Sequence, residues 1–292
     1  MDGPSRTALE TAVLRAAHQL IDRPAVFEDP LSMRILGAAL PKVIRAELVE
    51  RRRRWSARAA VAARSRFAEE EIARAVERGV DLCVVVGAGL ETFAYRNPHR
   101  DRLEVVEIDT PDMQAWKRRR LAEAGIAVPG WVTFAPADLT QNSVAVALLE
   151  ADVRLDRPMI VVALGTVIFL PQHCLDTTIA FVSRLPGASG LVLDYAIVDR
   201  LLDVDPLAER EAARRAAAAV GEPPLTFLDP VALPRQLGEA GFTEIDDLDV
   251  DGMNERFFAD RTDGLRLGPS GRHVLAAWTA ADAAAADYNS RP

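Results

Sequence analysis

Three short clusters carry residue types that could hold a nucleoside. Gly87-Ala88-Gly89 directly follows the apolar, β-branched run 81–86. There the chain must turn sharply, and glycine lets backbone approach a ligand with no Cβ in the way. Asp109 closes the next apolar run, 20 residues beyond Gly89, where an acid can accept both hydroxyls of a ribose. A third run, 131–135, leads into Pro136-Ala137-Asp138-Leu139. That cluster offers a carboxylate for an adenine amino group and an apolar contact for the ring. Thr92 stands where the dinucleotide fingerprint has its third glycine, so an adenosine ligand without a pyrophosphate fits better than NAD. Competing structural readings are a plain tight turn at the glycines and a helix N-cap at Asp138, ahead of a helix over 143–151.

These clusters need strands and helices to position them. Apolar runs at 81–86, 103–108, 131–135, 159–164, 190–195, 242–249 and 273–279 predict seven strands. Helical stretches alternate with them, for example 113–124, 143–151 and 230–240. Continuous apolar strands between helices imply a mostly parallel sheet covered on both faces, a doubly wound α/β fold. Ahead of it, three- and four-residue apolar spacings predict helices at 7–20, 35–49 and 47–78, a helical cap over 1–78 on a core of 79–292. An Ala/Arg/Glu-rich stretch, about 199–220, reads as a mobile helical lid inserted after the fifth strand, over the acceptor pocket.

Composition excludes several classes. Thirty-five basic against 43 acidic residues give a net charge of -8, the wrong sign for a nucleic-acid binder. The run Arg51 to Arg54 therefore reads as a solvated helix face. Cys83 and Cys174 are too few for a disulfide framework or a metal cluster, and they suit a reducing, cytoplasmic setting. The longest apolar run, 159–170, falls short of the ~20 residues of a membrane helix, and the first 25 residues lack the apolar core of a secretory signal.

Together the motifs resemble the leucine carboxyl methyltransferase-like family, most of all its bacterial branch. The residues that carry the resemblance are Ala63-Arg64-Ser65-Arg66-Phe67-Ala68-Glu69, the stretch from Val86 to Arg96, Glu107-Ile108-Asp109 and Ala137-Asp138-Leu139. The stretches 17–24, 26–31 and 254–261 extend it over nearly the whole chain. The resemblance implies a class I, Rossmann-like methyltransferase that uses S-adenosyl-L-methionine. By position, Arg64 would bind the carboxylate of the cofactor's methionine moiety. Gly87 and Gly89 would lie beneath that moiety, Asp109 would bind the ribose, and Asp138 with Leu139 the adenine. Arg66 would make a surface ion pair.

The chain also departs from the family pattern. Glu91 replaces a common aspartate. Leu164 stands where the eukaryotic enzymes have a cofactor-contacting glutamate, although leucine is common in the bacterial branch. Ala163 and Phe169 replace a tryptophan and a tyrosine. These changes bear on the acceptor, expected to be a small or peptide-like molecule methylated on a carboxylate. Alternatives are a hydroxyl acceptor, a cofactor-binding protein that catalyses a rearrangement, and, weakest, a nicotinamide dehydrogenase. A carboxylate is already ionised and needs no base, whereas a hydroxyl does. His173, Asp194 and Tyr195 are the candidate acceptor-side residues, at the ends of the fourth and fifth strands. A solvated place at a helix start competes for His173, and a core-capping role for Tyr195. Oligomeric state is not legible.

Overall fold

The computed structural model describes residues 5–37 and 55–281. The predicted helix over 35–49 lies mostly outside them, as do the start of the one predicted over 47–78 and the Arg51 to Arg54 run. The element order is α1 (Arg6–Ile21), α2 (Leu31–Leu36), α3 (Trp55–Glu77), β1 (Leu82–Val86), α4 (Phe93–Arg96), β2 (Glu104–Asp109), α5 (Pro111–Glu123), β3 (Val132–Pro136), α6 (Val144–Glu150), β4 (Ile160–Ala163), α7 (Gln172–Val182), β5 (Gly190–Ala196), α8 (Val204–Ala218), α9 (Ala232–Ala240), β6 (Phe242–Leu248), α10 (Val250–Phe258) and β7 (Arg272–Thr279).

The seven strands form one sheet in the order β3-β2-β1-β4-β5-β7-β6. β1 to β5 run parallel, and β7 inserts antiparallel between β5 and β6. Every residue of β1, β4 and β5 is buried, which is why β1 and β4 read as unbroken apolar runs and β5 as one interrupted at Asp194. The edge strands β3 and β6 are only partly buried, and β6 accordingly carries Glu244, Asp246 and Asp247.

Alternate residues of each strand enter two separate cores. One lies under α6, α7 and α9 and takes Val84, Val161, Leu193 and Tyr195. The other lies under α3 and α10 and takes Cys83, Val85, Val192 and Trp278. A third joins α1 and α2 to α5 and Leu90. The segment predicted as a cap thus divides: α3 covers the sheet itself, while α1 and α2 pack beside the turn after β1. The segment forming α10 carries no helix prediction, although Val250, Met253, Phe257 and Phe258 fall at helical spacing and Met253 and Phe258 are buried.

Polar groups lock α1 in place. Arg15 is 3% exposed and pairs with the fully buried Asp29 at 2.7 Å and with Glu91 at 3.0 Å. His18 donates from Nδ1 to Asp22 at 3.0 Å, the tautomer fixed because its Nε2 accepts the Val26 amide at 3.0 Å. Arg58 of α3 reaches the same carboxylate through two nitrogens, each at 3.1 Å. Burial pushes the Asp22 carboxyl up, but the hydrogen bonds from His18 and Arg58 outweigh it and hold it below the ordinary carboxylate range.

Gly190 opens β5 for a steric reason. A Cβ there would sit 2.9 Å from the Trp278 ring, and the Trp278 indole is held by a hydrogen bond to Glu71 at 2.8 Å. Gly190→Ala should therefore destabilise the protein by about 1–3 kcal/mol, as overpacking does. Urea unfolding checks this, and a loss below about 0.5 kcal/mol would show that the ring yields freely.

Candidate functional site

The carboxyl ends of β1, β2, β4 and β5 meet at one edge of the sheet. β1 pairs with β2 on one side and β4 on the other, so the connections leave it in opposite directions and open a crevice. A cavity of about 1080 Å³ occupies that crevice, ample for a nucleoside together with a second small molecule.

The floor is the turn Gly87–Gly89. The Gly87 and Ala88 amides donate to Ile108 O at 2.9 and 3.1 Å, which folds the turn back over β2. Gly87 has φ +65°, and a Cβ on it would lie 2.2 Å from the Thr166 hydroxyl. No other residue fits there. Asp109 accepts the Gly89 amide at 2.7 Å on one oxygen and the Thr110 amide at 2.7 Å on the other. Each oxygen keeps a lone pair for a ligand hydroxyl. Burial pushes this carboxyl above its ordinary value, against those two hydrogen bonds.

Asp138 and Leu139 line the same cavity. Asp138 accepts from the backbone and hydroxyl of Thr140, at 2.9 and 2.8 Å. The N-cap of α6 is Ser143, whose hydroxyl accepts the Val146 amide at 3.3 Å, so the helix-cap reading of Asp138 is set aside. Arg64, from the middle of α3, reaches the cavity and donates to Asp194 at 2.8 Å. Asp194 accepts from the Gly165 amide as well. An adenosine with a zwitterionic tail fits this donor and acceptor set. Arg66 faces outward and pairs with Glu70 at 2.6 Å.

The acceptor-side candidates separate. Asp194 lines the cavity, but its partner is Arg64. Tyr195 points to the opposite face of the sheet, where its hydroxyl donates to Asp247 at 2.6 Å and lies 3.1 Å from His273 Nδ1. Burial, with the Asp247 hydrogen bond behind it, pushes that phenol up, so it remains a donor. His173 is exposed near the start of α7 and does not border the cavity. Leu164 and Phe169 do border it, whereas Ala163 is buried in the core.

Sequence reading missed Arg272, on the cavity wall, and His273, which borders the cavity but turns its ring to Tyr195 and Asp247 on the opposite face of the sheet. His273 Nδ1 lies 2.9 Å from Asp247. Both read as the start of a strand, and nothing local shows that β7 inserts beside β5. Glu222 was missed as well. It accepts the Arg6 and Thr7 amides at 2.9 and 3.0 Å, clasping the segment after α8 to the start of α1. No residue of α8 is buried, and Ala213, Gly221, Glu222, Pro223 and Leu225 border the cavity.

Thr92, in the place of the missing glycine, is fully buried, and α4 behind it is a single turn of four residues. That turn is too short to present the helix N-terminus on which a dinucleotide pyrophosphate rests. The family model for leucine carboxyl methyltransferase matches residues 8–183. This chain belongs to the leucine carboxyl methyltransferase family. It is an S-adenosylmethionine-dependent methyltransferase with a Rossmann-like sheet, and the motif residues Arg64, Gly87, Gly89, Asp109, Asp138 and Leu139 all line the cavity. A Bacillus subtilis (strain 168) protein, YktD, named as an S-adenosyl-L-methionine-dependent methyltransferase, is 26% identical over 286 residues, covering 89% of this chain and 93% of its own. A Parafrankia sp. (strain EAN1pec) protein named likewise is 32% identical over 229 residues, covering 71% of this chain and 70% of its own. Among solved structures, the methyltransferase SibL in its apo form matches with a TM-score of 0.49 and 15% identity, over 92% of this chain and 69% of that one.

Among the described residues no group of histidine, cysteine and acidic side chains could hold a metal ion, and no helix is long and apolar enough to cross a membrane.

Glu91 ties the glycine turn to α1. Burial would push its carboxyl up, but Arg15, Arg96 and the Thr92 amide outweigh it and hold it at about 2. An unfolded glutamate titrates near about 4.3. The folded value is the lower one, so the stabilisation is complete above about pH 5 and lost as pH falls towards 2. The difference in melting temperature between wild type and Glu91→Gln should therefore shrink across that window. A difference independent of pH would mean that Glu91 contributes no charge-dependent stability.

Proposed function

We propose that this enzyme methylates an oxygen of a small or peptide-like acceptor, with a carboxylate as nucleophile. The observation that carries this reading is the wall after β4, where the cavity meets Leu164, Ile168, Phe169 and Leu170. None of these side chains can take a proton, and a carboxylate needs no base. When bound, S-adenosylmethionine supplies an electrophilic methyl group on a sulfonium.

Arg64 holds the methionine carboxylate, and Asp194 keeps the guanidinium turned into the cavity. Asp109 accepts the ribose hydroxyls, while Asp138 and Leu139 take the adenine. The glycine turn brings backbone close beneath the cofactor's tail. The apolar wall and the strap closed by Glu222 exclude water, and positioning supplies up to roughly 7–11 kcal/mol of the barrier reduction.

The second reading, a hydroxyl acceptor, would need a base, and the His273 imidazole is taken up by Tyr195 and Asp247 on the sheet face opposite Asp194.

Calorimetric titration with S-adenosylmethionine should show micromolar binding, and NAD none. Asp109→Ala should weaken that binding by about tenfold or more. Unchanged affinity would remove Asp109 from the ribose site. The methylated product then separates the two acceptor readings. A methyl ester releases methanol in mild base and an ether does not, so a base-stable product would select the hydroxyl. Turnover without S-adenosylhomocysteine would instead select a rearrangement.

A further inference from the structure

We infer that Arg272 is the receptor for the acceptor's negative charge, and that the acceptor is an organic acid with an apolar body. This rests on the methyl-transfer reading above and names its substrate class. Arg272 opens β7 and lies opposite Ala196 of β5, two positions from the Asp194/Val274 pair. Opposed residues of antiparallel strands share a face, so Arg272 stands at the ligand edge on the same side as Asp194.

Among the described residues, no protein group within hydrogen-bond reach meets the charge there, and the Arg272 side chain is 42% exposed. Arg272 lines the cavity, and the carboxylate beside it, Asp194, is 3.9 Å away, beyond hydrogen-bond reach. Asp194 is already engaged by Arg64 at 2.8 Å and by the Gly165 amide. Two guanidinium groups therefore share one carboxylate, and that of Arg272 donates no hydrogen bond to any described residue. A planar fork of donors left in this state matches an incoming carboxylate in two-point geometry.

The backbone that carries Arg272 is fixed. Gly271 has φ +60°, and a Cβ there would lie 2.5 Å from Leu202 and 2.8 Å from Ile197. The Ile197 amide donates to Gly271 O at 2.9 Å. Arg210 of α8 donates to Ser270 O at 3.0 Å and to Ile197 O. The turn is thus held between the end of β5 and α8. The remaining wall includes Leu14, Val61, Ile168, Phe169 and Met253, which suits a hydrocarbon body attached to the anion. A neutral acceptor would cover the Arg272 charge without compensating it, which disfavours it.

Octanoate and its uncharged isostere octanamide serve as probes, titrated by calorimetry into protein saturated with S-adenosylhomocysteine. Wild type should bind octanoate about tenfold or more tightly than octanamide. Arg272→Gln should bring octanoate down to the octanamide level and leave octanamide unchanged, whereas Arg272→Lys, which keeps the charge, should retain part of the preference. Melting temperatures of both variants confirm that they are folded. Equal affinities in wild type, a preference that survives Arg272→Gln, or no octanoate binding up to about 10 mM would each overturn the inference. If S-adenosylhomocysteine fails to bind wild type, the methyl-transfer reading fails instead. The octanoate and octanamide contrast, measured on the cofactor-free protein, still decides the role of Arg272.

Discussion

Asp194 accepts from Arg64 on one side and from the Gly165 backbone on the other, and this shared carboxylate joins three separate parts of the chain. It fixes the long helix α3 against the end of β5 and closes the turn that follows β4. With side-chain exposures of 12% and 5%, the pair is shielded enough for each partner to hold the other in place. Losing either one would leave a mostly buried charge uncompensated, which costs more than the pair itself contributes. The cavity's shape at the switch point follows from that constraint. The Arg64 guanidinium is pinned over Gly165, while the glycine turn after β1 is pinned over the end of β2.

The N-terminal helices depend on a second set of buried charges. Arg15, Asp29, Glu69, Glu91 and Arg96 form a connected set in which no carboxylate lacks a cation. Glu91 belongs to this set and lies at the end of the glycine turn, so the fit of α1 over the cavity and the position of the turn are coupled. The Glu222 clasp ties the start of α1 to the segment after α8. Carboxylates thus hold α1 at its start through backbone amides and in its middle through Arg15.

Strand periodicity made the fold legible. Each of the seven predicted runs holds a strand: β1 and β4, buried on both faces, are apolar throughout, while the edge strands β3 and β6 are partly exposed and admit polar residues. One side of the cavity was legible for a related reason: Gly87, Gly89, Asp109 and Asp138 all sit at or just past strand ends, where the parallel sheet exposes them. Those positions follow from counting along the chain. The acceptor side was not legible. His173 adjoins β4 in sequence yet faces outward, and Tyr195 at the end of β5 points to the wrong face. A shift of one position along a strand sends a side chain to the other side of the sheet.

The sequence by itself determined the alternation of strands and helices, the family, and which residues gather at the strand ends that border the cavity. Each is encoded within a few residues, as a period, a turn or a strand end. Tertiary structure alone decided that Arg64 meets Asp194, 130 residues away, and that Glu222 caps a helix 216 residues distant. It also decided that β7 inserts antiparallel beside β5, placing Arg272 on the cavity wall and turning the His273 ring to the opposite face. Such contacts depend on strand order and register. These are set by how two whole faces of the sheet pack, and no local pattern carries that information.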